Sequence, residues 1–218
     1  MTSQKIVGVI FSRPDLQRAR RMRRPPDFFE LRLDRLLGAT IGQLPAPLII
    51  TARDPREGGA NNLPASRRRA LLLEFLPRAK YVDVELRSAR ALQSVLRAAS
   101  ENNVGTIISF HDFDATPPAV RLDEIASRAR SLSAAIIKVA TRTDTSAQLD
   151  RLLDFFEGQR RASNVVAMGI GKLGRTSRLE LARRGCVLNY AHLGSPAAAG
   201  QLSIQDLRRF ADRFDPVS

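Results

Sequence analysis

The sequence predicts a single (β/α)8 TIM barrel over residues 1–218, and two observations carry that expectation. Eight short apolar or β-branched runs alternate with segments whose apolar residues recur at three- and four-residue steps, the mark of amphipathic helices. No linker rich in Pro, Gly or Ser and no internal repeat divides the 218 residues, so strand–helix alternation fills the chain as one domain. A doubly wound sheet is the alternative arrangement of the same pattern.

The first strand is the run Ile6 to Phe11, and Pro14 marks a helix start just beyond it, where a missing amide donor costs little. Phe28 to Leu33 is the second strand. Gly38 to Leu44, short and with two glycines, is expected to be the second helix. Leu48 to Thr51 follows as strand, then Pro64 and a helix over Arg67 to Leu76. The strand Tyr81 to Leu86 leads into a helix over Arg90 to Ser100, and Gly105 to Phe110 into one over Arg121 to Leu132 behind Pro118. Ala135 to Val139 precedes the helix Ser146 to Phe156. Asn164 to Met168 and Cys186 to Tyr190 are the last strands, and Ile204 to Phe214 closes the chain as a helix.

Composition narrows the function classes. Hydrophobic content of 44% and charged content of 26% are ordinary globular values. No apolar stretch reaches the roughly 20 residues that span a bilayer, and the start, Met-Thr-Ser-Gln-Lys-Ile-Val, has no signal-peptide layout. With a lone cysteine, Cys186, which excludes an internal disulfide framework, this predicts a cytoplasmic protein. The net charge of +13 raises nucleic acid as a partner. Against it, the arginines are dispersed, for example Arg67, Arg68 and Arg69 on the polar face of a helix, and Trp is absent. No nucleic-acid and no membrane partner is therefore expected, and the positive field is left to attract a small anionic substrate.

One lysine stands out. Of 35 basic residues only four are lysine, and Lys138 lies inside the strand run Ala134 to Ala140. Burial disfavours an ammonium, and a neutral lysine attacks carbonyls to form a Schiff base. Arginine cannot replace it, because its guanidinium stays charged. The plainer reading is a lysine that snorkels to water or pairs with a carboxylate. In a barrel, function collects at the C-terminal ends of the strands. Other reactive side chains fall there: Glu30, Arg32 and Asp34; Arg53 and Glu57; Asp83 and Glu85; His111; Ser177 and Arg178; Gln201. Gly169, Gly171 and Gly174 match the dinucleotide spacing G-x-G-x-x-G, but no acidic residue stands about 20 positions on. Arg178 beside those glycines is the better anion site.

Taken in order, these segments resemble the type I 3-dehydroquinate dehydratases. Glu30-Leu31-Arg32-Leu33-Asp34 resembles that family's E-x-R-x-D strand, and Arg53 with Glu57-Gly58-Gly59 its arginine and E-G-G loop. Asp83-Val84-Glu85-Leu86, Ser109-Phe110-His111-Asp112-Phe113 and Met168-Gly169 with Ser177-Arg178 match three more segments, and Lys138 the Schiff-base lysine. The resemblance implies dehydration of 3-dehydroquinate to 3-dehydroshikimate, a shikimate-pathway step, without metal or organic cofactor. It implies catalytic roles for Lys138, His111 and Glu57, the last holding the imidazole. Glu30, Arg32, Arg53, Arg178 and Gln201 would bind substrate, with Arg178 on its carboxylate. Asp83 and Glu85 read as supports for inward arginines. Similar proteins are often homodimers. The last loop departs from the family's S-A-P-G-Q, reading Ala197-Ala198-Ala199-Gly200-Gln201. This departure is expected to remove a hydrogen bond to substrate and loosen the lid. Another Schiff-base lyase or aldolase on a related polyol acid is the second reading.

Overall fold

In the computed structural model, which describes residues 4–214, nine parallel strands curl into one TIM-type barrel. The strands are β1 (Lys5–Ile10), β2 (Phe28–Arg32), β3 (Leu48–Thr51), β4 (Ala79–Glu85), β5 (Gly105–Asp112), β6 (Ile136–Arg142), β7 (Val165–Ile170), β8 (Leu188–His192) and β9 (Leu202–Ser203). The helices are α1 (Arg13–Arg20), α2 (Ala65–Phe75), α3 (Gln93–Glu101), α4 (Ala119–Ser131), α5 (Ser146–Gln159), α6 (Gly174–Arg183) and α7 (Ile204–Phe214). Strand order is β7-β6-β5-β4-β3-β2-β1-β8-β9. Strands adjacent in sequence pair from β1 through β7 and from β8 to β9, and β1 pairs β8, an order that excludes a doubly wound sheet. Residues 1–3 and 215–218, with the two ends of the expected 1–218 domain, lie outside the described residues.

All eight expected strands form. Two elements differ. Gly38 to Leu44 is not a helix; Gly38 sits at φ +66, in the left-handed region that suits glycine. Its carbonyls are bonded from outside, Ile41 and Gly42 accepting from the Arg78 guanidinium at 2.8 and 2.6 Å, so the segment needs no helical ladder. Seven α-helices are therefore described where eight were expected. The two-residue strand β9 was not expected, being too short to carry a pattern.

Parallel register decides which side chains meet, since partners in register face the same side. Arg32 lies opposite Thr51 and Thr51 opposite Asp83. One step along, Glu85 lies opposite Ser109 and Ser109 opposite Lys138. The leucines, isoleucines and valines between them, such as Leu31, Ile50, Val84 and Ile108, are buried between sheet and helices. Hydrophobic packing on one face thus orients a polar set on the other. Among the described residues no strand pairing joins β7 to β8. Arg178 on α6 bridges that seam, its Nε donating to Gly169 O at 3.2 Å and its Nη1 to Tyr190 O at 3.4 Å.

Candidate active site

At the C-terminal ends of the strands a cavity of about 310 Å³ opens, and every site residue named from the sequence lines it: Lys138, His111 and Glu57 with Glu30, Arg32 and Arg53, then Arg178 and Gln201. That volume suits one small polyol acid. Among the described residues no group of three or more His, Cys, Asp or Glu is placed to hold a metal ion. None of the described helices is long and apolar enough to cross a membrane.

Lys138 is buried at 3% exposure, yet it does not meet an apolar pocket. Its Nζ lies 2.8 Å from Asp83 Oδ2 and 3.4 Å from Glu30 Oε1, and 4.1 Å from the centroid of the Tyr190 ring. The lysine is therefore both buried and paired, joining the two readings the sequence had set against each other. Thr51 Oγ1 donates to Glu30 at 3.0 Å and Ser109 Oγ to Asp83 at 2.6 Å, so both carboxylates are held in place.

Arg53 is engaged by the protein itself. It grips Asp83 through two bonds of 3.1 and 3.0 Å, donates to Ser109 Oγ at 2.7 Å and lies 3.3 Å from Glu85. Burial would raise the Asp83 carboxyl, but Arg53 and then Lys138 outweigh it and hold it well below the usual range. Glu85 is carried in turn by Arg68, whose Nη1 donates to it at 3.0 Å while Nη2 reaches Asp54 at 2.8 Å and Ser88 Oγ at 3.0 Å. Here the sequence reading is corrected. Arg68 is not on a solvated face but is 3% exposed, because α2 turns it toward the strand ends.

His111 meets Glu57 twice. Its backbone N–H donates to Glu57 Oε2 at 2.9 Å, and its Nδ1 lies 3.0 Å from the same oxygen. Burial first, then the charges of Arg53 and Lys138, hold the imidazole well below its ordinary 6.5. Burial, with Glu85 adding repulsion, pushes the Glu57 carboxyl up to about 8. At neutral pH the imidazole is then uncharged and the Glu57 carboxyl protonated. Arg53 Nη1, which can only donate, lies 3.3 Å from Nδ1. A ring with its lone pair on Nδ1 and its proton on Nε2, beside a protonated Glu57, fits that contact. Moving the proton to Nδ1 instead frees Nε2 as a base.

The remaining cations differ in how they are matched. Arg32 pairs with Asp34 through Nε and Nη2 at 3.0 and 2.9 Å and donates to Gly58 O at 3.2 Å. Arg178 is 7% exposed and has no carboxylate within ion-pair distance among the described residues; burial lowers its pKa to about 10. Gln201 accepts from Ala197 N at 2.7 Å through Oε1, and Ala199 O accepts from Gly171 N at 3.2 Å. The last loop is therefore tied both to itself and to the β7–α6 turn. The glycines beside it have structural reasons. At Gly171 (φ +100) an added Cβ would lie 2.1 Å from Asp144 Oδ1, and at Gly174 one would lie 2.8 Å from Ala199 O. Sequence reasoning passed over Tyr190 and Arg35, which also line the cavity. Nothing in their local patterns marks them, because only the fold brings them to the lysine and the mouth.

A TIM-type barrel whose strand ends converge a paired lysine, a histidine–carboxylate couple and an unmatched arginine on one cavity defines an enzyme of the barrel lyase class. The chain belongs to the type I 3-dehydroquinase family, whose sequence signature matches residues 12–213. It is 34% identical over 215 residues to the 3-dehydroquinate dehydratase of Thermococcus gammatolerans, covering 96% of this chain and 99% of that protein. Identity to the 3-dehydroquinate dehydratase of Methanococcoides burtonii is 30% over 223 residues, covering 96% and 94%. Among solved structures, the 3-dehydroquinate dehydratase from Geobacillus kaustophilus HTA426 superposes with a TM-score of 0.84 at 26% identity, over 100% of this chain and 93% of that one.

Proposed function

We propose that this chain is a single catalytic domain over residues 1–218 that dehydrates 3-dehydroquinate to 3-dehydroshikimate through an imine on Lys138. The observation that carries this reading is the Lys138 amine, buried among carboxylates in the same cavity as a neutral His111 and a carboxylate-free Arg178. Asp83, 2.8 Å away, holds the nitrogen where the ketone arrives, and a proton passes from that nitrogen to the carbonyl oxygen. The freed amine adds to the substrate ketone and expels its oxygen as water. The resulting iminium draws electrons from the neighbouring carbon, so His111 can remove a proton there as general base. The carbanion expels the β-hydroxyl, which leaves as water with the proton His111 returns. Hydrolysis of the imine consumes one water and frees Lys138, so the net change is loss of one water.

Glu57 holds the imidazole and shares its proton. Arg178 receives the substrate carboxylate, where two parallel bonds or one charged bond would offset its burial. Glu30, Arg32 and Gln201 face the hydroxyls, and Arg53 acts mainly by fixing Asp83 and His111. The family likeness also supports a cytoplasmic enzyme that works as a homodimer, as a shikimate-pathway step.

Borohydride reduction in the presence of 3-dehydroquinate tests the mechanism. Mass spectrometry of the digest should find the adduct on the peptide carrying Lys138. An adduct on Lys5, Lys80 or Lys172, or none at all, would sink the imine reading.

A further inference from the structure

Arg35 lies just past β2, at the mouth of the same cavity. Its guanidinium carbon stands 3.7 Å from the centroid of the Phe11 ring, a distance that lays the planar group against the aromatic face. Arg32 shares that ring from 5.1 Å. The two arginines are matched very differently. Arg32 already holds Asp34 and Gly58 O. The Arg35 side chain has no hydrogen bond or ion pair among the described residues, only the ring stack. Arg121, Arg160 and Arg183 differ in both respects: they pair with glutamates three residues along or back on their own helices, away from the cavity. Arg35 is the reverse, a preoriented fork with its donors open toward a substrate pocket.

The electrostatics point the same way. Asp34 is already paired with Arg32, so its charge offsets Arg35 only in part, less than Arg32 opposes it. Two neighbouring guanidinium groups at a cavity mouth repel each other and together attract an anion. Arg178, which lines the same cavity and has no carboxylate within ion-pair distance among the described residues, is buried on the β7–β8 side. An entering anion would pass the lip before reaching it.

We propose that Arg35 is a specificity residue for the anionic substrate, capturing its carboxylate at the cavity mouth ahead of Arg178. This inference rests on the reading under Proposed function. Phe11 is its positioning partner: the ring holds the guanidinium plane upright and keeps it from folding back into solvent.

The test is Arg35→Gln, with kcat and KM measured at low and high ionic strength. Capture by a charged fork should make kcat/KM fall by about tenfold at low salt, at the lower end of steering effects. The loss should shrink as salt screens the field, with kcat moved far less. Phe11→Leu removes no charge yet should reproduce part of the loss. Binding read by calorimetry separates this proposal from the reaction it rests on. Shikimate, a cyclic polyol carboxylate, should bind Arg35→Gln more weakly than wild type, and its methyl ester should bind both alike. Equal weakening of acid and ester, or a kcat/KM and salt dependence unchanged from wild type, would overturn the role of Arg35. Failure of the wild type to dehydrate 3-dehydroquinate would instead overturn the reaction, and the calorimetric comparison would still decide the arginine.

Discussion

If His111 moves the substrate proton as proposed, with Glu57 against its ring, the pH dependence of the reaction should show both groups. Burial, then Arg53 and Lys138, hold His111 well below 6.5. As pH falls through 6.5 the ring therefore stays neutral and remains a base, where an ordinary histidine would already be charged. As pH rises through about 8, Glu57 ionises, and its carboxylate stabilises the imidazolium, so His111 returns the abstracted proton to the departing hydroxyl less readily. The kcat/KM profile should thus keep its plateau below 6.5 and decline above about 8, both limbs belonging to the coupled pair. Glu57→Gln should erase the alkaline limb, since an amide has no proton to lose. An acid limb centred at or above 6.5, or an alkaline limb indifferent to that substitution, would assign the profile to other groups. At this scale the sequence was informative where chemistry is rare: a lysine in a chain that otherwise writes arginine, and one of two histidines. It was silent on the ion pairs of Lys138, because Asp83 and Glu30 reach it across 55 and 108 residues. No local pattern encodes such separations.

Among the elements, α2 does more than cover the sheet. Arg68 leaves its surface and fixes Asp54 and Glu85, and Glu85 in turn stands 3.3 Å from Arg53. Replacing Arg68 with Met keeps much of the volume but leaves two buried carboxylates short of a cation. Loss of one partner from a buried pair costs about 3–5 kcal/mol, so Arg68→Met should lower the unfolding free energy by that order in urea titration. A loss under about 1 kcal/mol, the scale of an exposed pair, would mean that Arg56, 3.2 Å from Asp54, carries the carboxylate alone. Three consecutive arginines on a helix look alike in sequence. Only the rotation of α2 against β3 and β4 separates the buried Arg68 from its exposed neighbour Arg69. The strands were legible because apolar and β-branched residues gather in short runs, broken mainly where alternate side chains turn polar toward the cavity, as in Asp83-Val84-Glu85. The helix expected over Gly38 to Leu44 failed because two guanidinium groups from other elements satisfy that backbone, which no local spacing reveals.

At the scale of the whole molecule, Arg178 serves barrel closure, and its proposed role toward the substrate carboxylate can be tested through stability. The β7–β8 seam has no strand pairing, and the guanidinium bridges it through Gly169 O and Tyr190 O. The same group is a buried cation with no carboxylate at ion-pair distance among the described residues, its pKa drawn down to about 10 by that burial. In a chain of net charge +13, a desolvated positive charge at a seam is a standing cost to the fold, and a carboxylate ligand would relieve it. Stability and substrate binding should therefore be linked. A ligand at a hundred times its Kd that binds only the folded state adds about 2.7 kcal/mol. For a chain of about 200 residues each kcal/mol moves Tm by about 2–4 °C, so the expected rise is about 5–10 °C. Thermal melts with saturating 3-dehydroshikimate should show that rise in the wild type. Arg178→Met should show little of it at the same concentration, because the charge that needs the carboxylate is gone. A shift as large in Arg178→Met as in the wild type would place the carboxylate elsewhere in the cavity. Arg178 would then be a structural bridge between two strands that do not pair.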